Sequence, residues 1–400
     1  MYKFPVAYFN SNNGIGRLAF GDGPMIKLSG ANPMEQLQAF IDEHAGEHLL
    51  VNLSYDLKNN VEDLSSSNPD YSNFPLGYAW VPKYMVDLQN ENLEFVQGLK
   101  DSESLAFIDH FMQEEIDENF QAFPHKLTPR ISKEEYLKNV HSLQNSIQQG
   151  DIYEVNYCQE FFAEDVEIPH QLDAYFKLNH LTRAPYSSFF FIDHFTLFCG
   201  SPERYMYKKD NHLISEPIKG TKKRGKTKEE DEILKEALLN DPKERAENVM
   251  IVDLVRNDLS RIALPNSVEV EELFGIYSFE TVHQMISRIG CDIAPETSFT
   301  DILRASFPMG SMTGAPKISA MKLIEEHECF QRGIYSGSIG YIRPNGDFDF
   351  NVVIRTLVYN HETKYLSCAV GGAITIKSDP EQEYEECNVK VKGILDGMNA

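Results

Sequence analysis

Two strand-like runs near the C-terminus, FNVVIRTLVY (residues 350–359) and KYLSCAVGGAITI (residues 364–376), decide the fold class of this chain. Both contain many β-branched and aromatic residues, and part of each run alternates between apolar and polar side chains, as strands do. Three similar runs precede them in the sequence: IYEVNYCQEFFA (152–163), SFFFIDHFTLFCG (188–200) and GSIGYI (337–342). Because helical stretches lie between these runs, the sequence predicts an α+β body with helices outside the strands.

Upstream of these strands, the sequence predicts a helix that begins after Ser132 and ends at Gly150. Ser132 and Glu135 have the spacing of a capping box, and the residues that follow form an apolar stripe at helical period. Residues 1–125 mix strand-like runs with polar, turn-rich stretches. We therefore expect an N-terminal α/β region, residues 1–125, that packs on a core formed by residues 126–400, with the segment around Pro124 and Pro129 crossing between them.

The composition excludes several classes of protein. A net charge of −24 disfavours nucleic-acid and anionic-membrane partners, because the long-range field repels both. The chain has no apolar run long enough to span a membrane and no secretory signal at its N-terminus, so we expect a cytoplasmic protein. Its six cysteines are far apart in the sequence without any C-x-x-C pair, which predicts reduced thiols rather than a zinc site or disulfides.

Two predicted helices begin with the same Asp-Pro motif, and each carries a pair of glutamates. Asp241-Pro242 and Asp379-Pro380 each place a side-chain acceptor at the N-cap and a proline at the first helical position. Each helix then has two glutamates at i, i+3 on one face: Glu244 with Glu247, and Glu383 with Glu386. If the two faces meet, the repulsion between four carboxylates favours a hard cation such as Mg2+. The alternative is that acidic residues simply favour the first turn of a helix.

The motifs around these helices resemble those of the chorismate-utilising enzymes, a family that includes anthranilate synthase component I, aminodeoxychorismate synthase component I, isochorismate synthase and salicylate synthase. The resemblance extends from about residue 131 to residue 395, with the motifs in the family's order. These motifs are SPERY (201–205), PIKGT (217–221), AENVMIVDLVRNDLSRI (246–262), FPMGSMTGAPK (307–317), YSGSIGY (335–341) and SDPEQEYEECNVK (378–390). The resemblance implies a large two-sheet antiparallel β sandwich with helices outside.

By the same resemblance, Glu244, Glu247, Glu383 and Glu386 bind Mg2+, and the ion holds the ring carboxylate of chorismate. The residues implied to bind the substrate are Gly220, Thr221, Thr313, Tyr335, Arg355, Gly371, Gly372 and Lys390. Among them, Arg355 is expected to give paired, charge-assisted hydrogen bonds to the enolpyruvyl carboxylate. An acidic protein would thus bind a dianion through one metal ion and one arginine.

The resemblance also implies three catalytic residues. Glu203 matches the general acid that protonates a departing ring hydroxyl, His283 matches a histidine near the C4 hydroxyl, and Lys219 matches a lysine nucleophile. Each has an ordinary alternative from the sequence alone. In that alternative, Glu203 is a surface glutamate that follows a turn proline, and His283 is a histidine of the core. Lys219 would belong to the solvated basic run KGTKKRGK.

The segment GSMTGAPK (310–317) is not expected to bind phosphate. Its spacing is G-x-x-x-G-x-x-K, whereas a phosphate-binding Walker A loop requires G-x-x-x-x-G-K-[ST]. We expect its glycines and Thr313 to form a tight turn beside the substrate. We interpret Arg256, Asn257 and Asp258 as a salt network at a helix end.

Two positions distinguish the reactions of the family. Isochorismate and salicylate synthases have a lysine that activates water at the position of Glu154, and the amine-forming members usually have glutamine there. At the position of Lys219, anthranilate synthases have alanine and aminodeoxychorismate synthases have lysine. Lys219 therefore favours aminodeoxychorismate synthesis, and Glu154 departs from both patterns.

The sequence contains no recognisable glutamine amidotransferase motif, so we expect a separate amidotransferase subunit to supply ammonia. The expected product is 4-amino-4-deoxychorismate, the precursor of 4-aminobenzoate and folate. The alternative within the family is anthranilate synthase component I, which releases pyruvate. A catalytically inactive chorismate-binding protein is a further alternative, but a buried carboxylate cluster is costly to keep without a function.

Overall fold

The computed structural model describes residues 2–89, 92–113 and 126–399. Its strands are β1 (Val6–Asn10), β2 (Ile15–Phe20), β3 (Met25–Leu28), β4 (Leu49–Leu53), β5 (Gly77–Trp80), β6 (Tyr84–Gln89), β7 (Asn92–Gln97), β8 (Thr128–Pro129), β9 (Glu154–Ala163), β10 (Tyr186–Ile192), β11 (Phe195–Ser201), β12 (Arg204–Lys209), β13 (His212–Glu216), β14 (Ile218–Lys223), β15 (Glu269–Ser278), β16 (Val282–Asp292), β17 (Gly314–Ala315), β18 (Ser338–Ile342), β19 (Phe348–Asn351), β20 (Thr356–Asn360) and β21 (Tyr365–Ile374).

The helices are α1 (Pro33–Glu43), α2 (Lys58–Val61), α3 (Ser102–Gln113), α4 (Lys133–Gln149), α5 (Gln171–Thr182), α6 (Lys228–Leu239), α7 (Pro242–Ser260), α8 (Phe299–Ser306), α9 (Lys317–His327) and α10 (Pro380–Asn399). Helix α4 confirms both ends of the helix that the sequence predicts. The Ser132 side chain accepts a hydrogen bond from the backbone N–H of Glu135, and Gly150 ends the helix at a φ of +90°.

The strands form two large antiparallel sheets. The first sheet has the order β17-β9-β21-β20-β11-β10-β1-β2-β6-β7, with β8 beside β9. The second has the order β14-β16-β13-β12-β19-β18-β4-β5-β3, with β15 beside β16. The α+β class predicted from the sequence, with two antiparallel sheets and helices, is confirmed.

The alternation of side chains along β10 shows how the layers pack. Phe189 and Phe191 belong to a core that also contains Tyr175 of α5, so this face of the first sheet packs on helices. Phe190 and Ile192 point the other way, into a core shared with residues of the second sheet such as Leu50. The two sheets therefore form a sandwich with helices outside it.

Two predicted strands are interrupted in the structure. SFFFIDHFTLFCG forms the hairpin of β10 and β11, because Asp193 takes the left-handed conformation at a φ of +54° and turns the chain. FNVVIRTLVY is divided between β19 in the second sheet and β20 in the first. Arg355 lies at this crossing with a φ of +51°. A continuous run in the sequence thus becomes a connection between the sheets.

The N-terminal strands extend the same sheets as the later ones. In the first sheet β1 pairs with β10, and in the second sheet β4 pairs with β18. The division between residues 1–125 and 126–400 stays a prediction, and Pro124 lies outside the described residues. All six cysteines lie within them and are free. No helix in the described ranges combines the length and the apolar character that crossing a bilayer requires.

Candidate functional site

Most of the predicted site residues line a single cavity of about 370 Å³. It is bordered by β14, β21, α7, α10 and the crossing between β19 and β20, so its wall comes from both sheets and from two helices. The predicted residues in its wall are Glu203, Lys219, Gly220, Thr221, Glu244, Glu247, Tyr335, Arg355, Gly371, Gly372, Glu383, Glu386 and Lys390. Its volume lies in the range of small-molecule sites, and its many charged side chains suit a polar ligand.

Two predicted residues do not line this cavity. The buried His283 ring is hydrogen-bonded to Ser278 (2.8 Å from Nδ1) and to Asp231 (2.9 Å from Nε2). Thr313 is also buried, and its hydroxyl donates to the carbonyl oxygens of Met309 and Gly310. Both side chains are therefore engaged in the protein itself, as core residues would be.

Gln284 faces the cavity in place of His283. The two residues are consecutive in β16, and successive side chains of a strand point to opposite faces. Gln284 pairs in register with the cavity residue Thr221 of β14, and its buried Oε1 has no hydrogen-bond partner in the described structure. The alternation of a strand places residues 283 and 284 on opposite faces, but the sequence alone does not show which of the two faces the cavity.

The α7 and α10 helices bring the four glutamates to the same cavity. Asp241 caps α7 by accepting hydrogen bonds from the backbone N–H groups of Lys243 (3.0 Å) and Glu244 (3.3 Å). Asp379 accepts a hydrogen bond from the backbone N–H of Gln382 at 3.1 Å at the start of α10. The aspartate N-cap that the sequence predicts for each helix therefore positions both glutamate pairs.

Burial changes the proton affinity of these carboxylates. It raises the pKa of Glu244 and Glu383, and it raises the pKa of Glu247 to about 7. The Glu386 side chain is 57% exposed, so desolvation acts on it only in part, and the charge and hydrogen bond of Lys390 outweigh this and lower the pKa of Glu386. The negative charges are thus only partly compensated by side chains of the protein.

The donor set fits a hard divalent cation, because it consists of carboxylate oxygens. One oxygen of the buried Glu247 also has no hydrogen-bond partner among the described residues. In the arrangement described, however, Glu386 is turned toward Lys390 at 2.8 Å, and no three His, Cys, Asp or Glu side chains in the described ranges are grouped to hold an ion. Binding of a cation here requires a change of side-chain rotamers.

Arg355 contributes a positive charge to the cavity wall and has no acidic partner there. Within the described ranges, no carboxylate forms an ion pair with its guanidinium. Burial lowers the pKa of Arg355, but an arginine keeps its charge at neutral pH. A charged guanidinium in a cavity wall without a protein anion can bind an anionic ligand.

The two glycines of β21 bring the backbone close to its neighbours. A Cβ atom on Gly371 would lie 2.4 Å from Sγ of Cys158, and one on Gly372 would lie 3.2 Å from a carboxylate oxygen of Glu383. Lys390 donates to the carbonyl oxygen of Gly371 at 2.7 Å and thereby joins α10 to this strand. Gly371 therefore allows β21 to pack closely on β9, and Gly372 leaves room beside Glu383 in the cavity wall.

Glu203 is buried between β11 and β12 in the cavity wall. Burial raises its pKa to about 7, although the Ser311 hydroxyl and the positive charge of Lys219 act in the opposite direction. A large share of Glu203 is thus protonated at neutral pH, which a general acid requires. Ser311 also lines the cavity and was not predicted from the sequence.

Lys219 forms an ion pair with Glu154. Its Nζ donates to Glu154 Oε1 at 2.7 Å, and the exposed fractions of the two side chains are 10% and 3%. Burial tends to lower the pKa of Lys219, but Glu154 outweighs it and the pKa is raised. Lys219 is therefore a buried ammonium group, not part of a solvated basic run.

The segment GSMTGAPK does not present its lysine to a ligand. Lys317 donates to Asp258 at 2.6 Å and to the carbonyl oxygens of Ser306 (2.9 Å) and Pro308 (2.8 Å). Arg256 pairs with Asp253 at 2.9 Å on the same helix. The ion pairs of Arg256 and Asp258 are the part of the expected salt network at the end of α7 that the structure shows.

Comparison with known proteins identifies the family. Residues 13–396 match the family described as chorismate binding enzyme. The chain is 40% identical over 265 residues to aminodeoxychorismate synthase component 1 of Klebsiella aerogenes, which covers 66% of this chain and 58% of that protein. It is 42% identical over 265 residues to a probable chloroplastic aminodeoxychorismate synthase of Oryza sativa, which covers 65% of this chain and 29% of that protein. The chain thus spans less than two thirds of the length of both relatives.

Two further comparisons cover more of the chain. An anthranilate synthase component I-like protein of Synechocystis is 32% identical over 345 residues, with 86% of this chain and 71% of that protein covered. The crystal structure of anthranilate synthase component I from Streptococcus pneumoniae superimposes with a TM-score of 0.82 at 26% identity, covering 95% of this chain and 92% of that one. The fold implied by the sequence motifs is confirmed. The chain belongs to the chorismate-binding enzyme family.

Proposed function

We propose that this chain is the subunit of an aminodeoxychorismate synthase that converts chorismate and ammonia to 4-amino-4-deoxychorismate. The observation that carries the proposal is that Lys219 and Glu203 lie in the wall of the same cavity, with Arg355 and the glutamates of α7 and α10 around it. The names of the relatives at about 40% identity support the same reaction.

The substrate is a dianion, and the cavity offers two places for its carboxylates. Arg355 binds the enolpyruvyl carboxylate through charge-assisted hydrogen bonds, since it has no acidic partner among the described residues. Glu244, Glu247, Glu383 and Glu386 would hold Mg2+, which when bound supplies a positive charge for the ring carboxylate. Tyr335, Thr221 and the open backbone at Gly371 and Gly372 complete this wall.

Lys219 and Glu203 have separate roles in the proposed reaction. The neutral Lys219 amine adds at C2 of the ring while the C4 hydroxyl leaves as water with the proton of Glu203. Ammonia then attacks C4 as the bond between Lys219 and C2 breaks, and the proton released by the new amino group returns to Glu203. Two steps replace a crowded direct displacement at C4.

Anthranilate synthase component I is the second candidate, because the Synechocystis relative is named anthranilate synthase component I-like protein and the Streptococcus pneumoniae structure is of anthranilate synthase component I. The two reactions differ in their products. The chain should be incubated with chorismate, Mg2+ and ammonium, and the products analysed by mass spectrometry together with a pyruvate assay. We expect the mass of aminodeoxychorismate without pyruvate. Release of pyruvate with anthranilate would establish the second candidate instead.

A matched pair of variants tests the role of Lys219. Lys219→Ala should lose most of the product, whereas Lys223→Ala, an exposed lysine of the same strand, should keep it. Denaturation of the wild-type reaction without ammonia should leave a chorismate-derived mass on the peptide that contains Lys219. Full activity of Lys219→Ala would reduce this lysine to a bystander.

The ammonia is proposed to come from a separate glutamine amidotransferase subunit. The relative from Klebsiella aerogenes is named component 1, which implies at least one further component of that enzyme. Copurification of this chain with the amidotransferase of the same organism, and the gain of glutamine-dependent activity in the mixture, would support the partnership.

A further inference from the structure

Gln284 is a residue of the cavity wall whose side-chain oxygen is not used by the protein itself. It lies on β16, and only 1% of the residue is exposed. Strand β14 pairs with it at Thr221 and strand β15 at Tyr277, so the sheet holds its backbone from both sides. Its Oε1 is buried without a hydrogen-bond partner among the described residues. The structure thus fixes a hydrogen-bond acceptor at the cavity and leaves it unpaired.

A ligand that donates a hydrogen bond to this oxygen would remove an energetic cost. Burial of a polar atom without a partner is unfavourable, because the atom loses its hydrogen bonds to water. Within the described ranges, the cavity-lining residues with such an oxygen are Gln284 and Glu247. Glu247 belongs to the carboxylates proposed to hold Mg2+. Gln284 is therefore the acceptor that remains for another ligand.

The reactant without a proposed partner in the cavity is ammonia. The two carboxylates of chorismate are assigned to Arg355 and to the cation, and Glu203 is the proton donor for the C4 hydroxyl. The lone pair of ammonia must point at C4 to form the new bond. The protein can therefore hold ammonia only through its N–H groups, and these require an acceptor.

The uncharged amide of Gln284 suits ammonia better than a carboxylate does. A carboxylate favours the positively charged ammonium ion, which has no lone pair and cannot attack carbon. An amide oxygen accepts a hydrogen bond without a full negative charge. Asn156 is another amide of the cavity wall, but it donates to the carbonyl oxygen of Ser311 at 3.0 Å and accepts from Cys158 at 3.1 Å. Its hydrogen bonds are used within the protein.

We propose that Gln284 binds the incoming ammonia by accepting a hydrogen bond from it, and that this contact directs the ammonia lone pair to C4. The inference rests on the proposed function, in which ammonia reacts after Lys219 has added to the ring. The nitrogen of ammonia forms its bond to C4, the bond between C2 and Lys219 breaks, and its electron pair stays on the lysine nitrogen. The proton released by the new amino group goes to Glu203. Gln284 ends the step unchanged.

The test compares Gln284→Met with Gln159→Met. Methionine has nearly the length and volume of glutamine but no amide, so the first substitution removes the acceptor without a large change in packing. Gln159 is also a buried glutamine, but it lies on β9 and does not line the cavity. The second variant therefore measures the effect of replacing a buried amide elsewhere in the fold.

For Gln284→Met we expect the KM for ammonia, measured with ammonium chloride at one fixed pH, to rise by about 5- to 10-fold, the effect of one lost hydrogen bond. The KM for chorismate should change by less than about 3-fold. The adduct on Lys219 that forms without ammonia should keep its wild-type yield, because ammonia is not needed for that step. The melting temperature should stay the same or rise, since an unpaired buried oxygen is removed. Gln159→Met should keep both KM values.

An unchanged KM for ammonia in Gln284→Met would overturn the proposal. A higher KM for chorismate together with a lower yield of the adduct would show that Gln284 contacts chorismate instead, and a rise in the KM for ammonia that Gln159→Met shares would show a structural effect; either result overturns the proposal as well. If Gln284→Met does not fold, Gln284→Asn keeps the amide but shortens its reach, and an unchanged KM for ammonia in that variant has the same meaning. If the wild type makes no aminodeoxychorismate, the proposed function fails first, and the products of the wild type alone reveal this.

Discussion

Burial raises the pKa of both Glu203 and Glu247, but the two carboxyl groups have different proposed roles. The pKa of each is raised to about 7, mainly by desolvation. Glu203 gains a proton that it can donate to a leaving hydroxyl. Glu247 faces other carboxylates across the cavity, so its raised pKa reflects a cost that a bound cation would remove.

Glu203→Gln should lower kcat by at least about 100-fold, because the amide cannot donate a proton to the departing hydroxyl. In the wild type, the rate of hydroxyl loss should decrease as the pH rises through about 7, since the protonated fraction of Glu203 falls there. Single-turnover measurements of water loss between pH 5.5 and 8.5, at about half-unit spacing, check both effects. Wild-type activity in the variant would contradict the role of Glu203.

Glu247→Gln should stabilise the metal-free protein at pH 8 by about 1 kcal/mol while it abolishes Mg2+-dependent activity. The pKa of Glu247 is raised from its ordinary value of 4.5 to about 7 in the folded protein. The stability that protonated Glu247 contributes is therefore fully present below pH 4.5 and is lost as the pH rises through about 7. The gain in melting temperature should therefore vanish near pH 4.5.

The measurement is a thermal melt with a chelator at both pH values, with Glu232→Gln as control. Glu232 is an exposed residue of α6, and its substitution should change neither stability nor activity. Glu383→Gln should also abolish activity. Unchanged turnover in both site variants would contradict the metal assignment.

At the scale of elements, α7 and α10 owe their positions in the site to local signals. Each has an aspartate before its first turn and proline at its first position, and each places a glutamate pair toward the cavity. The short connection between β19 and β20 acts differently. It carries Arg355 from one sheet to the other in a left-handed conformation, which directs the arginine to the cavity.

Asp241→Ala should cost about 1 kcal/mol of stability, because it removes the acceptor for two backbone N–H groups of α7. We also expect weaker Mg2+ binding and lower activity, since Glu244 and Glu247 lie in the first two turns of this helix. Ser298→Ala is the matched control, because Ser298 caps α8 and that helix does not line the cavity. The control should lose similar stability and keep its activity. Equal loss of activity in both variants would mean that the loss follows from reduced stability and not from the position of the α7 glutamates.

At the scale of the whole molecule, a net charge of −24 opposes the binding of an anionic substrate. The positive groups in the cavity wall, Lys219, Lys243, Arg355 and Lys390, offset this field locally. Among them, Lys219, Lys243 and Lys390 have acidic partners, whereas Arg355 has none among the described residues. The arginine is thus the side chain most available to an anion.

The purified chain should use free ammonium but not glutamine. The expectation follows from the sequence, in which no glutamine amidotransferase motif is recognisable. Product formation with each nitrogen donor, alone and with an added amidotransferase subunit, checks this. Glutamine turnover by the chain alone would contradict the expectation.

The sequence by itself determined the features that depend on neighbouring residues. These are the α4 helix with its cap at Ser132, the caps at Asp241 and Asp379, and the i, i+3 glutamate pairs that these caps orient. Ordered motifs along the chain also identified the family and most residues of the cavity wall. Local signals suffice here because backbone hydrogen bonds and side-chain periodicity extend over only a few residues.

Only the tertiary structure decided which distant side chains touch. The chain turns at Asp193 and crosses between sheets at Arg355, although the sequence around each position is consistent with a continuous strand. Register in the sheet turns Gln284 to the cavity and His283 away from it. The pairing of Glu154 with Lys219 joins strands of different sheets, and the desolvation that raises the pKa of Glu203 comes from the surrounding packed layers. These properties depend on long-range packing, which local sequence patterns do not encode.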